Sequence, residues 1–504
     1  MAEISWKKRF LKNSLSSYVA TAVSLGLGLF MFRLLFSTWS SAEFGFWALL
    51  WSLFGMGFVL DFGIGLSVQK AVAEKLADDD VPGMNRLLTT AFWGFSALAA
   101  LLFVVLLALR PVFFHFFEAP AEHLAEFHRA YVYFSLCLAL IFPLGLFNEM
   151  LQGLQRLDLA NWIRTGITVT NFTVITICVK SGVPFSLVFL IAGISSLVPS
   201  TLAALFAFRL LPGLSLNPAT HFRPGTIKEQ LSFSISAYLI HMANRLLMQM
   251  DRIIIGGFLG IAAVANYQAA AKVAEILRMF AYHLEEAVSP AAAHLRARGD
   301  KAGLRDLLLR TSRFNFLIVT PVYVLGAVYM EPVIGVLTGM DSISLEIWLV
   351  GQLLLFAVYN TQISSTCASG IMIMTGHEKP LVTIVLGQLV TNIGLSIALV
   401  FGFKTVGVAA ATLICAALFG WLIILPRILR TLGISAGEYL GFHLRGAAPG
   451  FAAFGLGLAL LIHIFPLHEG QITGLLWRGL AVLIPTMLFN LKLVRATWSG
   501  DPQS

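Results

Sequence analysis

Apolar runs long enough to cross a bilayer recur along the whole chain, and they restrict it to one kind of architecture. A helix needs about 20 apolar residues to traverse the hydrocarbon core. Fourteen such segments are read at residues 14–37, 44–68, 88–109, 130–151, 162–180, 184–208, 231–254, 262–289, 313–337, 345–373, 381–401, 405–428, 446–465 and 472–493. Inside lipid every backbone N–H and C=O needs an internal partner, so segments of this length are helices. Composition agrees: 58% of the 504 residues are hydrophobic and 12% are charged, against about 25% charged in soluble domains. The expected fold class is an all-α polytopic membrane protein with about 14 transmembrane helices. The N-terminal Lys7, Lys8, Arg9 and Lys12 precede the first run like the basic end of a signal peptide. That run is too long for a signal and reads as the first span.

Charge placement orients the chain. With the N-terminus inside, the cytoplasmic segments hold 24 Lys and Arg residues and the opposite side holds 6. This positive-inside bias suits an even number of spans with both termini cytoplasmic. The formal net charge of +8 is therefore juxtamembrane anchoring and not a nucleic-acid surface. The longest outer loop is expected from Arg110 to Arg129, with Glu118, Glu122, Glu126, His115, His123 and His128. Its histidine spacing is not that of a helix-borne metal pair, and an interfacial helix is expected. Cys137, Cys178, Cys367 and Cys415 all lie in apolar segments, where cysteine acts as a small hydrophobe. No metal site, catalytic residue or cofactor motif is read from the chain.

The chain also repeats. NSLSSY at 13–18 falls opposite FSISAY at 233–238, and EFGFW at 43–47 opposite AVANY at 263–267. LQGLQR at 151–156 falls opposite MTGHEK at 374–379, and Asn171 opposite Asn392. The offset stays near 220 over six spans, so the halves share one orientation, as in transporters with parallel repeats. The expected organisation is a six-helix lobe over 1–210, a cytoplasmic linker over 211–230, a second six-helix lobe over 231–430, and two further helices with a tail over 431–504.

Ionisable residues at membrane depth are costly and are functional candidates by default. The seventh and eighth segments carry Arg245, Asp251, Arg252, Lys272, Glu275 and Arg278. Lys272, Glu275, Met279, His283 and Glu286 follow steps of three and four along one helix face, with Arg278 at its edge. This stripe reads either as a polar lumen wall or as a Lys272–Glu275–Arg278 ladder that neutralises itself. Asp251 and Arg252, near the outer end, read as an interfacial charge pair that Arg33 of the first segment joins. Asp61 in the second segment reads as a coupling site or as a buried acceptor, and Glu149 as a gate or interface residue. Pro143, Pro199 and Pro321 fall within spans and permit kinks.

The segments AEFGFWALL (42–50), DFGIGL (61–66), LQGLQRLDLA (151–160) and above all DRIIIGGFLGIAAVANY (251–267) resemble the multidrug/oligosaccharidyl-lipid/polysaccharide exporter superfamily, in its polysaccharide flippase branch. The resemblance implies a V-shaped alternating-access transporter of the bacterial cytoplasmic membrane. Such a protein moves a polyprenyl-diphosphate-linked oligosaccharide from the inner to the outer leaflet, beside the glycosyltransferases and polymerase of its pathway. Arg245, Lys272 and Arg278 would then meet the diphosphate, because guanidinium and ammonium groups are its natural partners. Glu275, His283 and Glu286 would line the lumen. Transport would need no cofactor beyond a proton or sodium gradient. Lipid II flippases of the superfamily place several arginines on the first two helices. Here those helices hold only Arg33, which favours a capsule, O-antigen or exopolysaccharide intermediate. Two other classes are weighed: an ion-coupled drug antiporter, which would favour acidic over basic lumen residues, and a membrane glycosyltransferase or polymerase, which would need an extended catalytic outer loop.

Overall fold

The computed structural model describes residues 6–57, 64–78, 80–154, 156–223, 225, 235–444, 448, 451–452, 454–455 and 481–492, and they are almost entirely helical. The helices are α1 (Trp6–Thr38), α2 (Ser41–Gly57), α3 (Ile64–Ala77), α4 (Val81–Phe116), α5 (Leu124–Gly153), α6 (Leu157–Lys180), α7 (Phe185–Leu210) and the single turn α8 (Pro218–His221). Then follow α9 (Ile235–Leu259), α10 (Ile261–Ala297), α11 (Lys301–Val328), α12 (Met330–Thr338), α13 (Leu345–Thr361), α14 (Cys367–Met374), α15 (Glu378–Ala417) and α16 (Leu425–Leu432). Among the described residues, eight helical stretches are long and apolar enough to cross a membrane. One of them, Glu378–Leu432, is 55 residues long. It breaks at Lys404 (φ 51°, ψ −134°), between the two segments expected there. The protein is a multi-pass membrane protein.

The chain forms two compact units, one of residues 1–238 with 259–265, the other of 239–258 with 266–504. In the first unit α1 packs on α6, α3 on α4 and α5, and α5 on α4 and α7. Small residues let these helices close up. A Cβ on Gly153 would lie 2.7 Å from the Gln69 carbonyl oxygen, and one on Gly193 2.2 Å from the Cys137 sulfur. Buried hydroxyl and amide groups tie the apolar faces together, as where Asn161 donates to Ser16 Oγ at 3.1 Å.

The expected outer loop of 20 residues is much shorter. α4 continues through Pro111 to Phe116 and α5 begins at Leu124. Aromatic packing explains the extension: the Phe46 and Phe127 rings stack at 4.2 Å, and Phe113 meets Tyr131 at 4.9 Å. Arg110 Nε donates to His128 Nδ1 at 2.9 Å across the two helices. Charges that end an apolar run in sequence are here part of continuing helices.

The start of the linker is fastened to α4. Asn85 donates to the Gly213 carbonyl at 2.9 Å and accepts from the Ser215 amide at 3.0 Å. One and two turns further on, Thr89 donates to the Ser215 carbonyl and Trp93 to the Leu216 carbonyl. Leu211, Leu214 and Leu216 pack onto the core of the first unit. Residues 211–216 therefore belong to the body of that unit. Asn85→Ala removes two bonds of about 1 kcal/mol each. We expect faster hydrogen exchange at the Ser215 amide, with a stability loss of roughly 2 kcal/mol in thermal unfolding.

At the head of α4, Asp80 caps the helix by accepting from the Gly83 amide at 2.8 Å, and Lys75 bonds it at 3.2 Å. These bonds hold its carboxyl below the usual range. The cap is intact above the ordinary carboxylate pKa and is lost as pH falls through the lowered value.

In the second unit α13 lies against α15, and α11 against α13 and α14. Two π-helical segments, Gln362–Thr366 and Leu418–Ile424, interrupt the long helices and face each other. A Cβ on Gly420 would fall 2.1 Å from Ser364 Oγ, so glycine there permits the approach. Trp421 Nε1 donates to Asn360 at 3.0 Å and Asn315 to the Gln362 carbonyl at 2.6 Å, giving the widened turns partners. A helix over 436–444 docks on α11, where Arg305 pairs with Glu438. Arg313, 8% exposed, bonds the Phe442 carbonyl, and its guanidinium carbon lies 3.5 Å from the centre of the Phe442 ring. A desolvated cation–π contact contributes about 2 kcal/mol. Burying a cation costs several kcal/mol, so this contact leaves Arg313 under-compensated.

Candidate functional site

The charged residues of the seventh and eighth segments sit on α9 and α10, joined at Gly260, whose φ of +87° makes the turn. Two clusters form within the second unit. In the first, Glu275 accepts hydrogen bonds from Lys272 at 3.3 Å, from Gln268 at 3.2 Å and from Arg252 across the helix pair. Arg252 also donates to Gln249 at 2.8 Å, one turn back on its own helix. Glu275 is thus shared by two cations from two helices. Arg278, on the same side of α10, reaches the sulfur of Met248 and is partly buried, and Arg245 is exposed on α9.

The second cluster is built on Asp251, which is 6% exposed. Tyr267 donates its hydroxyl to Asp251 Oδ2 at 2.5 Å, so the first and last residues of the motif 251–267 bond each other. Thr412 Oγ1 lies 3.1 and 3.3 Å from the two carboxylate oxygens and 3.3 Å from the Val408 carbonyl. A hydroxyl has one proton, so it serves these acceptors one at a time. Asn392 donates to Thr412 at 3.3 Å, while its own Oδ1 has no hydrogen-bond partner among the described residues. One turn along the same helix, Ser396 is fully buried with an unpartnered Oγ. The cluster sets a buried carboxylate among neutral hydroxyl and amide groups, with acceptor oxygens left over for a proton or a monovalent cation.

Glu149 accepts from Gln69 of α3 and from Gln152 at 3.4 Å, inside the first unit. Arg33 is exposed on α1 of that unit. Asp61 and the side chains of His283 and Glu286 lie outside the described residues. Among the described residues no group of His, Cys, Asp and Glu side chains has metal-site geometry. Sequence reasoning missed Thr412 and Ser396, and it saw Tyr267 and Asn392 only as repeat and motif matches. The signal available for Asn392 was an amide within an apolar run, which it shares with Gln388. Its repeat partner Asn171 makes a similar tie, accepting from Ser196 at 2.8 Å.

Solved structures share this fold. A lipid II flippase, MurJ, in an inward closed conformation matches with a TM-score of 0.69 and 15% identity over 95% of this chain and 100% of its own. An inward-facing multidrug resistance MATE family transporter of the MOP superfamily matches with a TM-score of 0.67 and 15% identity, over 82% of this chain and 98% of its own. A MOP superfamily transporter from Pyrococcus furiosus, described as having a binding pocket of reversed polarity that suggests a different function, matches with a TM-score of 0.58 and 15% identity over 85% and 97%. No curated protein sequence matches the chain significantly. The profile of one family, described as polysaccharide biosynthesis protein, matches residues 30–342. The chain has the fold of MOP superfamily transporters and belongs to the polysaccharide biosynthesis protein family.

Proposed function

We propose that this chain is a flippase that carries a polyprenyl-diphosphate-linked oligosaccharide from the cytoplasmic to the outer leaflet, by alternating access, during surface polysaccharide biosynthesis. The carrying observation is the surplus of cations on α9 and the first half of α10, ahead of Glu285 and Glu286. Over residues 239–278, Arg245, Arg252, Lys272 and Arg278 stand against only Asp251 and Glu275, and Asp251 takes its hydrogen bonds from neutral hydroxyls. A surplus of this sign lowers the desolvation cost of a diphosphate and would repel a cationic drug. The family and the shared fold support transport in a polysaccharide pathway. On this reading the protein lies in a bacterial cytoplasmic membrane with both termini inside, and receives its substrate from membrane glycosyltransferases.

Coupling to a proton or sodium gradient is assigned to the acceptor-rich cluster. Asp251, Thr412, Asn392 and Ser396 would hold the ion, and its charge would neutralise the buried carboxylate. Arg245→Ala and Lys272→Ala test the cationic reading. Each is expected to reduce surface polysaccharide export by roughly tenfold or more, the effect of one charge-assisted bond, with membrane levels of the protein unchanged. Normal export from both variants would refute the role of these cations.

A further inference from the structure

Three arginines follow one another along the first turns of α11, and the most buried of them is the one that lacks a carboxylate. Arg305 pairs with Glu438, and Arg310 with Asp306 at 2.6 Å. Arg313 has no carboxylate partner among the described residues, and its Nε has no hydrogen-bond partner. Among the described residues its charge meets the ring and carbonyl of Phe442. Beside it, His443 is 7% exposed and its Nδ1 lies 2.7 Å from the Tyr439 carbonyl oxygen. A carbonyl accepts only, so Nδ1 carries the hydrogen and Nε2 presents a lone pair. Among the described residues that nitrogen also has no hydrogen-bond partner. Burial, with the Arg313 charge close by, keeps the ring below its usual pKa range and therefore neutral.

A buried cationic donor next to a buried neutral acceptor is complementary to a ligand that carries both an anion and a hydroxyl. Position narrows the ligand further. Before Arg313, α11 carries Lys301, Arg305, Asp306 and Arg310; after it, no charged residue occurs through Val328. The residue therefore stands at the change from polar to apolar helix, the level of lipid head groups.

We propose that Arg313 and His443 bind a phosphate and its neighbouring hydroxyl, either in a phosphatidylglycerol-type head group or in a sugar phosphate. The phosphate oxygens accept from the guanidinium, and the hydroxyl donates to His443 Nε2. Phe442 covers the guanidinium and turns aside to admit the anion. This site is separate from the charges of α9 and α10 and does not depend on the transport reading.

The test uses full-length protein stripped of lipid in a neutral detergent, with thermal unfolding followed as probes are added. The probes are phosphatidylglycerol, glucose 1-phosphate and inorganic phosphate. Phosphatidylglycerol or glucose 1-phosphate is expected to raise the midpoint, and whichever acts identifies the source, bilayer or saccharide. Inorganic phosphate is expected to act more weakly, because it supplies no carbon-borne hydroxyl. Arg313→Gln is expected to weaken binding by about tenfold or more, whereas Arg310→Gln responds like the parent. Should Arg313→Gln fail to fold, two variants that keep the arginine decide: Phe442→Ala binds more tightly and His443→Phe more weakly. The proposal falls if neither organic probe shifts the parent's midpoint, if Arg313→Gln keeps the full shift, or if both Phe442→Ala and His443→Phe bind as the parent does.

Discussion

Replacing Glu275 with glutamine is expected to destabilise the protein while strengthening its hold on an anionic ligand. The two effects have one cause. Glu275 is the shared counter-ion of Arg252 and Lys272, and its loss leaves two cations on α9 and α10 facing each other. Exposed ion pairs contribute about 0–1 kcal/mol, whereas breaking a buried pair costs roughly 3–5 kcal/mol. The Arg252 side chain is 14% exposed and that of Glu275 37%, so the loss falls between these limits, at roughly 1–3 kcal/mol. Thermal unfolding in detergent reads this term. Binding of an isoprenyl diphosphate reads the other: without the carboxylate, Lys272 and Arg252 bind the diphosphate with no internal competitor. If the charges form only a closed internal network, Glu275→Gln lowers stability and leaves diphosphate affinity flat or reduced. Opposite signs in the two measurements therefore separate substrate contact from self-neutralisation.

The parts of this fold that depend on position along the chain were legible in the sequence. The break at Lys404 lies between two apolar runs, and the charged helices α9 and α10 announced themselves because charge within such runs is rare. What stayed hidden depends on contacts between helices. Counting steps of three and four along α10 links Lys272 with Glu275, but it gives no view of Arg252 arriving from α9. Thr412 reads as an ordinary small polar residue in an apolar run, and only the packing of α15 against α9, 161 residues away in sequence, turns it toward Asp251. Asp251 and Arg252 looked like one pair because they are adjacent. Successive residues on a helix point about 100° apart, and the structure sends one to Tyr267 and Thr412 and the other to Glu275. The turn between α4 and α5 departs from expectation for a related reason. Arg110 and His128 end apolar runs in sequence, whereas in space they bond each other and let α4 and α5 continue. Likewise, nothing in the linker's composition shows that Asn85, Thr89 and Trp93 stand at matched turns to receive it.

Asp251→Asn is expected to abolish the dependence of transport on an ion gradient while leaving the fold in place. Asparagine has the same shape, and its carbonyl can still accept from Tyr267, so the packing around residue 251 survives. Its amide nitrogen adds two donors beside the Thr412 hydroxyl oxygen, which can accept from one of them. Stability should therefore change by less than about 1 kcal/mol, and it can rise, because an uncharged group no longer has to be buried. Asp251→Leu makes the contrast. It strips Tyr267 of its acceptor inside the second unit, at about 1–3 kcal/mol for the donor left unsatisfied, while Thr412 keeps the Val408 carbonyl. A coupling carboxylate predicts that the two variants share one transport defect and differ in stability; a merely structural one predicts that transport tracks stability. Vesicles loaded with a fluorescent lipid-linked diphosphate and given a proton or sodium gradient supply the measurement. Parental transport should rise with one of the two gradients, and Asp251→Asn should respond to neither. A full gradient response in Asp251→Asn would remove Asp251 from coupling and return Asp61 to first place, with Asp61→Asn as the next variant to measure.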